Sequence, residues 1–425
     1  MPSSYDRIMA YVAELDIIDT HEHLPPFEDQ RDPALDAIQE YIMDYFNRDL
    51  RSAGLAPAEL ERVKREPMPL MDRWRLVAPY WELARYTGYG RALDISARGL
   101  YGLDGVQEST IEALNGALRC SHQPGHYEYV LKTKSSIVIS LLDGGRPSDQ
   151  RYFRNVLNLD VFVFPKTVAQ VHNIEAQTGV RICSFDDWLQ ACEIALDLGL
   201  AEGCVALKSP LAYQRSLHYQ RVPRWQAEET FVHFFDQFHF PDWLEAYIQV
   251  DKPFQDYMMH HILRLANQRG LTFQFHTGLQ NGTGNLIANS NPELLSNLFL
   301  QYPDVRFDLF HIGYPYQHVL SALSKNYRNV YIDMCWAHII SPQASISAMV
   351  EWIDSVPLSK ISAFGADYSF VDAVYGHQQL ARENVARALA CKVDEGLFDV
   401  DKACEIAKLW FYDNPMRIFQ LEAKL

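Results

Sequence analysis

No two of the seven cysteines form a CxxC pair; they are scattered as Cys120, Cys183, Cys192, Cys204, Cys335, Cys391 and Cys404. An odd, dispersed set in a chain of 425 residues argues against a disulfide framework and favours a reducing compartment. Long apolar runs are missing too: no window approaches the roughly 20 residues needed to cross a bilayer. The opening Met1-Pro2-Ser3-Ser4-Tyr5-Asp6-Arg7 lacks the basic start and apolar stretch of an export signal. The expectation is a cytoplasmic protein with no membrane partner. Positive charge is in deficit, with 38 Lys and Arg against 54 Asp and Glu and a net charge of −16. That argues against a nucleic-acid partner, which calls for a clustered basic face. Internal repeats and low-complexity tracts are absent as well.

What is present suits a globular fold: 48% hydrophobic and 22% charged residues, in a chain long enough to bury a sizeable core. Short apolar runs alternate with helix-like stretches. Counting the run at 15–20, the runs are Ser136 to Leu142, Asp160 to Phe164, Gly203 to Lys208, Leu271 to His276, Arg306 to His311, Asn329 to Met334 and Ile361 to Asp367. Asn291-Pro292 and Ser341-Pro342 each set a capping side chain before a first-turn proline, and Gly270 closes the helix ending at Arg269. Eight strands alternating with helices point to an α/β fold, a (β/α)8 TIM barrel forming one domain over 1–425.

Two stretches do not fit the alternation. Residues 25–134 are helical in pattern and far longer than an ordinary connection, so they are expected to form a helical insertion after strand 1, a lid over the site. Residues 209–253 form a second insertion after strand 4, dense in aromatics: Trp225, Phe231, Phe234, Phe235, Phe238, Phe240 and Trp243. These suit a satellite core or a subunit contact in a homo-oligomer better than ligand stacking.

The first strand ends in His21-Glu22-His23. On an extended backbone, residues i and i+2 face the same side, so both imidazoles can meet one point. Neutral imidazole is the commonest ligand for zinc and similar ions. In a (β/α)8 barrel the active site is built at the C-terminal ends of the strands. Strand four ends in Lys208, strand five in His276, strand six in His311 and strand eight in Asp367. Each has a bland explanation: a packed core histidine, a lysine reaching to water, an aspartate capping a turn. Six such residues at successive strand ends are harder to attribute to chance than any one of them.

The set His21-x-His23, Lys208, His276, His311 and Asp367 resembles the amidohydrolase superfamily. The closing Leu409-Trp410-Phe411-Tyr412-Asp413-Asn414-Pro415-Met416-Arg417 is similar to the terminal signature of the amidohydrolase-2 branch. Leu207-Lys208-Ser209-Pro210-Leu211-Ala212-Tyr213 is similar to nodulin-like domains fused to glutamine synthetase. The resemblance implies one or two divalent metals, zinc foremost, with manganese, iron or nickel also compatible. It implies His21, His23 and Asp367 as ligands of one ion. His276 and His311 would serve a second ion or the substrate, with Asp367 and His311 as catalytic residues. Lys208 becomes a ligand only as a CO2-derived carbamate, since an ammonium has no free lone pair.

Candidates for substrate contact are Tyr213, Arg215, Asn285 and Trp336, with His338, Arg73 and Trp74 behind them. The loop His276-Thr277-Gly278-Leu279-Gln280-Asn281-Gly282-Thr283-Gly284-Asn285 lacks the GxxxxGK[ST] phosphate pattern and is expected to line the site. The leading expectation is a metal-dependent hydrolase cleaving a C–N or C–O bond of a small, carboxylated molecule. A decarboxylase or uronate-type isomerase on the same scaffold is the alternative, and a catalytically silent metal-binding interaction module is a third.

Overall fold

The computed structural model of the chain describes residues 2–144, 146–235, 250–282 and 284–422. Eight strands follow one another in the sheet in chain order. They are β1 (Ile17–Glu22), β2 (Ile137–Asp143), β3 (Phe153–Asn158), β4 (Ala206–Ser209), β5 (Thr272–Phe275), β6 (Arg306–Leu309), β7 (Val330–Asp333) and β8 (Ile361–Ser362). The pairings β1–β2, β3–β4, β4–β5, β5–β6 and β6–β7 are parallel. This is the expected (β/α)8 barrel. Parallel strands covered by helices read as near-continuous apolar runs, which is why the alternation was visible in the sequence.

One expected strand is displaced. The apolar run at 160–164 forms a helical turn, Asp160–Val163, and the third strand is Phe153–Asn158 instead. Asn158 accepts from the backbone N–H of Asp160 at 2.8 Å and starts that turn. Four apolar residues in a row cannot by themselves separate a strand from a buried turn. The true strand carries Arg154 and Asn155 in its middle, which masks it.

The chain clusters into two compact units, 1–154 with 281–285 and 333–416, and 155–280 with 286–332 and 417–425. The first holds β1, β2 and β8. Regular strand covers only Ile361–Ser362 of β8, yet its continuation stays beside β1: Thr20 donates to the Phe364 carbonyl at 3.0 Å, and Asp367 donates to that of His21 at 2.9 Å. Between β1 and β2 the described chain is largely helical, including Leu70–Ala84, Gly88–Tyr101 and Ile111–Cys120. Trp74 and Trp81 fill its core. Gly88–Tyr101 packs against the long helix Val371–Asp394, where Gly376 faces the carbonyl of Ala92 too closely for any side chain.

The second unit holds β4, β5, β6 and most of β3 and β7. Gly270 takes the left-handed conformation that ends the helix Lys252–Arg269, and Asn291 caps the turn beginning at Pro292. Of the aromatics in 209–253, Phe231 joins a satellite core with Phe185, Trp188 and Phe254, ring centroids 5.5–6.3 Å apart, while Trp225 is exposed. The side chains of Phe234 and Phe235, and Phe238, Phe240 and Trp243 entirely, lie outside the described residues. No described helix is long and apolar enough to cross a membrane.

Candidate functional site

In the first unit the end of β1 is fixed by buried carboxyls. Asp19 accepts from the backbone N–H groups of His21 (3.2 Å) and Ala366 (3.0 Å) and from the Ser140 hydroxyl (2.9 Å). Burial raises its pKa to about 6. Glu22 turns the other way along the pleat and accepts from the backbone of His23 and Tyr368, each at 3.3 Å. Burial, then the charge of Asp19, pushes Glu22 well above the usual carboxylate range. These contacts lock the strand so that the two histidines between and beyond them share one side.

There the imidazoles converge. Nε2 of His21 and Nε2 of His23 are 3.1 Å apart, and Oδ1 of Asp367 is 3.4 Å from the first and 3.3 Å from the second. His21 and Asp367 are buried and His23 is exposed. Burial alone would raise the Asp367 pKa, but hydrogen bonding and charge interaction with His21, and then His23, hold it well below the usual range. Asp367 sits at φ +58°, a left-handed conformation that a non-glycine residue adopts at a cost of about 1–3 kcal/mol. The Tyr45 hydroxyl anchors it by donating to its carbonyl at 2.5 Å.

The donor set has the spacing and the chemistry of a metal site. Ligands about 2.0–2.2 Å from a tetrahedral centre stand about 3.4 Å from each other. The three distances between His21, His23 and Asp367 match that spacing. Two imidazoles and a carboxylate are also a donor set that divalent zinc accepts. Asp143, at the end of β2, belongs with the two histidines: donor atoms of His21, His23 and Asp143 all lie within 4.8 Å of one another. Sequence reasoning missed Asp143, although a carboxylate closing the run Ser136 to Leu142 was the available signal.

The second unit carries its own cluster at the ends of β4, β5 and β6. Nδ1 of His276 is 3.0 Å from Nε2 of His311, and Nε2 of His276 lies 2.9 Å from the Leu279 carbonyl. A carbonyl can only accept, so that contact puts the His276 proton on Nε2 and leaves the Nδ1 lone pair facing His311. His311 and Ile312 both take positive φ, +63° and +50°, turning the chain sharply after β6. Buried Lys208 places Nζ 3.6 Å from the centroid of the Phe310 ring, a cation–π distance. Tyr213 lies against His276, ring centroids 4.6 Å apart.

The remaining candidates differ in what they touch. Arg215 is buried; it pairs with Asp256 at 2.6 Å, donates to Gln255 at 2.9 Å and to the His218 carbonyl at 3.1 Å, and stacks on Tyr219. Its guanidinium is committed to that network. Trp336, at φ +60°, packs against Tyr45 and Tyr89. Half-buried Asn285 lies over Gly282, where a Cβ would come within 3.1 Å of its amide nitrogen. His338 is buried with Nε2 2.9 Å from the Ala363 carbonyl, and Arg73 pairs with Asp36. Within the first unit a cavity of about 580 Å³ is lined by Gln30, Arg31, Glu40, Asp44, Lys64 and Ser369, among others. Asp44 accepts from the hydroxyl of Ser369, two residues beyond Asp367, at 3.1 Å.

Comparison with known proteins bears on the fold. The amidohydrolase family model matches residues 229–421. Protein fluG of Emericella nidulans is 28% identical over 177 residues, 40% of this chain and 20% of that protein, so the chain accounts for about a fifth of that relative's length. Uronate isomerase from Thermotoga maritima shares the fold at TM-score 0.80 and 15% identity, covering 98% of this chain and 97% of that one. Glucuronate isomerase from Caulobacter crescentus does so at TM-score 0.78 and 17% identity, over 99% and 94%. A protein described as a metal-dependent hydrolase from Lactobacillus casei follows at TM-score 0.69 and 16% identity, over 98% of each chain. By sequence the chain is similar to the amidohydrolase family over residues 229–421, and by fold it matches these barrels over nearly its full length.

Proposed function

We propose that the protein is a metal-dependent hydrolase that cleaves a C–N or C–O bond of a small, carboxylated molecule. The observation that carries this is the convergence of His21, His23 and Asp367 at the spacing of ligands on one ion. These residues would hold the metal, zinc foremost, with Asp143 beside them. A divalent ion in such a place lowers the pKa of water and polarises a carbonyl. Asp367 is the general base: its carboxylate, facing His21 and His23, would stand beside the water such an ion holds and take its proton. It returns that proton to the departing nitrogen or oxygen as the bond to carbon breaks. From the family resemblance we assign Lys208, His276 and His311 to the same chemistry, His311 orienting or protonating the substrate.

A second reading has one observation in its favour. Lys208 over the Phe310 ring is placed as a cation would be, whereas a carbamate anion would face the negative face of that ring. An unmodified Lys208 suits one metal and a substrate carboxylate, as a decarboxylase or uronate-type isomerase would need.

Metal analysis with native intact mass separates the two. Two ions per chain and the added mass of one CO2 favour hydrolysis; one ion and an unmodified lysine favour the alternative. No bound divalent ion after purification and reloading would remove both. The Asp367→Asn variant is expected to fold and keep most of its metal while losing turnover by about 100-fold or more. Full turnover in that variant would take Asp367 out of the mechanism.

A further inference from the structure

The second unit has a cavity of about 770 Å³, larger than the one in the first unit, lined by Arg221, Val222, Pro223, Arg224, His260, Arg264, Gln301 and Tyr302. It is built from outer elements: the start of the helix Arg224–Phe235, the middle of Lys252–Arg269 and the residues that follow Ser296–Gln301. None of the strand-end residues discussed above lines it.

Its base is polar and buried, with His260 4% and Tyr302 7% exposed. Nδ1 of His260 lies 2.8 Å from the Tyr302 hydroxyl, which is also 3.1 Å from the His260 carbonyl. Three arginines stand over this base. Arg224 is partly neutralised by Asp186 at 2.6 Å and Glu228 at 3.7 Å. Among the described residues, Arg221 and Arg264 form no ion pair, and Arg264 touches the ring nitrogen of His261 at 3.3 Å, the face of Tyr257 and the Tyr302 hydroxyl. Asp256, the nearby buried acid, is already held by Arg215 and Lys252. Both arginines are felt at the base: burial, then Arg264 and Arg221, depresses the His260 pKa, and the same two guanidiniums oppose the burial-driven rise at Tyr302. In a chain of net charge −16, clustered arginines without acidic partners call for an anion from outside.

We propose that this cavity binds a phosphate group, free or as the ester of a small molecule, between Arg221 and Arg264 and above His260 and Tyr302. A carboxylate has two oxygens and is satisfied by one arginine fork. A phosphate presents three terminal oxygens and close to two charges, enough for two guanidiniums together. The volume falls in the range of small-molecule sites and exceeds that of a bare anion, leaving room for an esterified group.

The test is thermal unfolding of the metal-loaded full chain in inorganic phosphate, in glycerol 3-phosphate and in sodium acetate, at equal ionic strength. Either phosphate is expected to raise Tm by about 2–4 °C, and acetate to leave it within error. Half-saturation at lower concentration identifies the source, the ester or the free ion. The Arg221→Ala/Arg264→Ala double variant changes two exposed side chains and should fold, with the phosphate response abolished. A His260 imidazole whose NMR titration moves to higher pH on adding phosphate, in the wild type alone, supports the same site. An equal Tm rise in acetate, an undiminished response in the double variant, or no rise at all would overturn the proposal.

Discussion

Asp19, Glu22 and Asp367 show how single side chains divide their work at the proposed centre. Asp19 and Glu22 are spent on backbone N–H groups that hold β1 and the chain after β8, while Asp367 is left facing imidazoles. The same distinction applies to Arg215, a residue whose type suggests carboxylate binding. Its buried pairing with Asp256 makes a structural role the testable one. Arg215→Met should cost about 2–3 kcal/mol of stability by leaving buried Asp256 with Lys252 as its one remaining ion-pair partner, read as a lower denaturant midpoint, with KM nearly unchanged in the folded fraction. A large rise in KM at unchanged stability would restore it to the substrate site. The histidine pair and Asp367 were legible as candidates because strand-end placement is written in the sequence. Arg215's commitment was not, because its partner lies 41 residues on, in the helix Lys252–Arg269, and only folding brings them together.

At the scale of elements, the contact between Gly88–Tyr101 and Val371–Asp394 depends on small residues. A Cβ at Gly376 would overlap the Ala92 carbonyl and the Ser96 hydroxyl, and one at Gly99 would overlap Tyr375. In an open helix Gly→Ala stabilises by about 0.5–1 kcal/mol. Here Gly376→Ala should destabilise by about 1–3 kcal/mol, because backbone must move to admit the methyl. Chemical denaturation of the variant checks the sign, and a stabilised variant would show that the two helices can separate at little cost. The caps at Ser341 and Asn291 and the Gly270 terminus were readable in advance, since each acts through its own neighbours in sequence. β3 was not. Its apolar alternation is interrupted by Arg154 and Asn155, and the more apolar Val161-Phe162-Val163-Phe164 is drawn into a turn by Asn158 and by Ser209, which donates to Asp160 at 2.9 Å.

Across the whole molecule, buried titratable groups pull the pH dependence of stability in opposite directions. Burial, then the charge of Asp372, raises Glu40 to about 8, so the folded chain keeps a proton there that the unfolded chain loses near 4.5. Its contribution is complete below about pH 4.5 and is lost as the pH rises towards 8. Burial lowers His338 to about 4 and His377 to about 3, so their contribution is present above 6.5 and is lost as the pH falls. Glu40→Gln isolates one component: relative to wild type it should gain about 4 kcal/mol between pH 4.5 and 8. Denaturation series at several pH values measure that difference, and a constant offset would mean that Glu40 is ionised in the folded state. What the sequence determined by itself was the alternation of strands and helices, the caps, and the polar residues closing β1, β4, β5, β6 and β8, since all of these follow from neighbours along the chain. What only the tertiary structure decided was which carboxylates face histidines and which face backbone, where β3 runs, and that three arginines surround His260 and Tyr302. Those outcomes depend on groups far apart in sequence whose charge and burial are set only when folding removes water from between them.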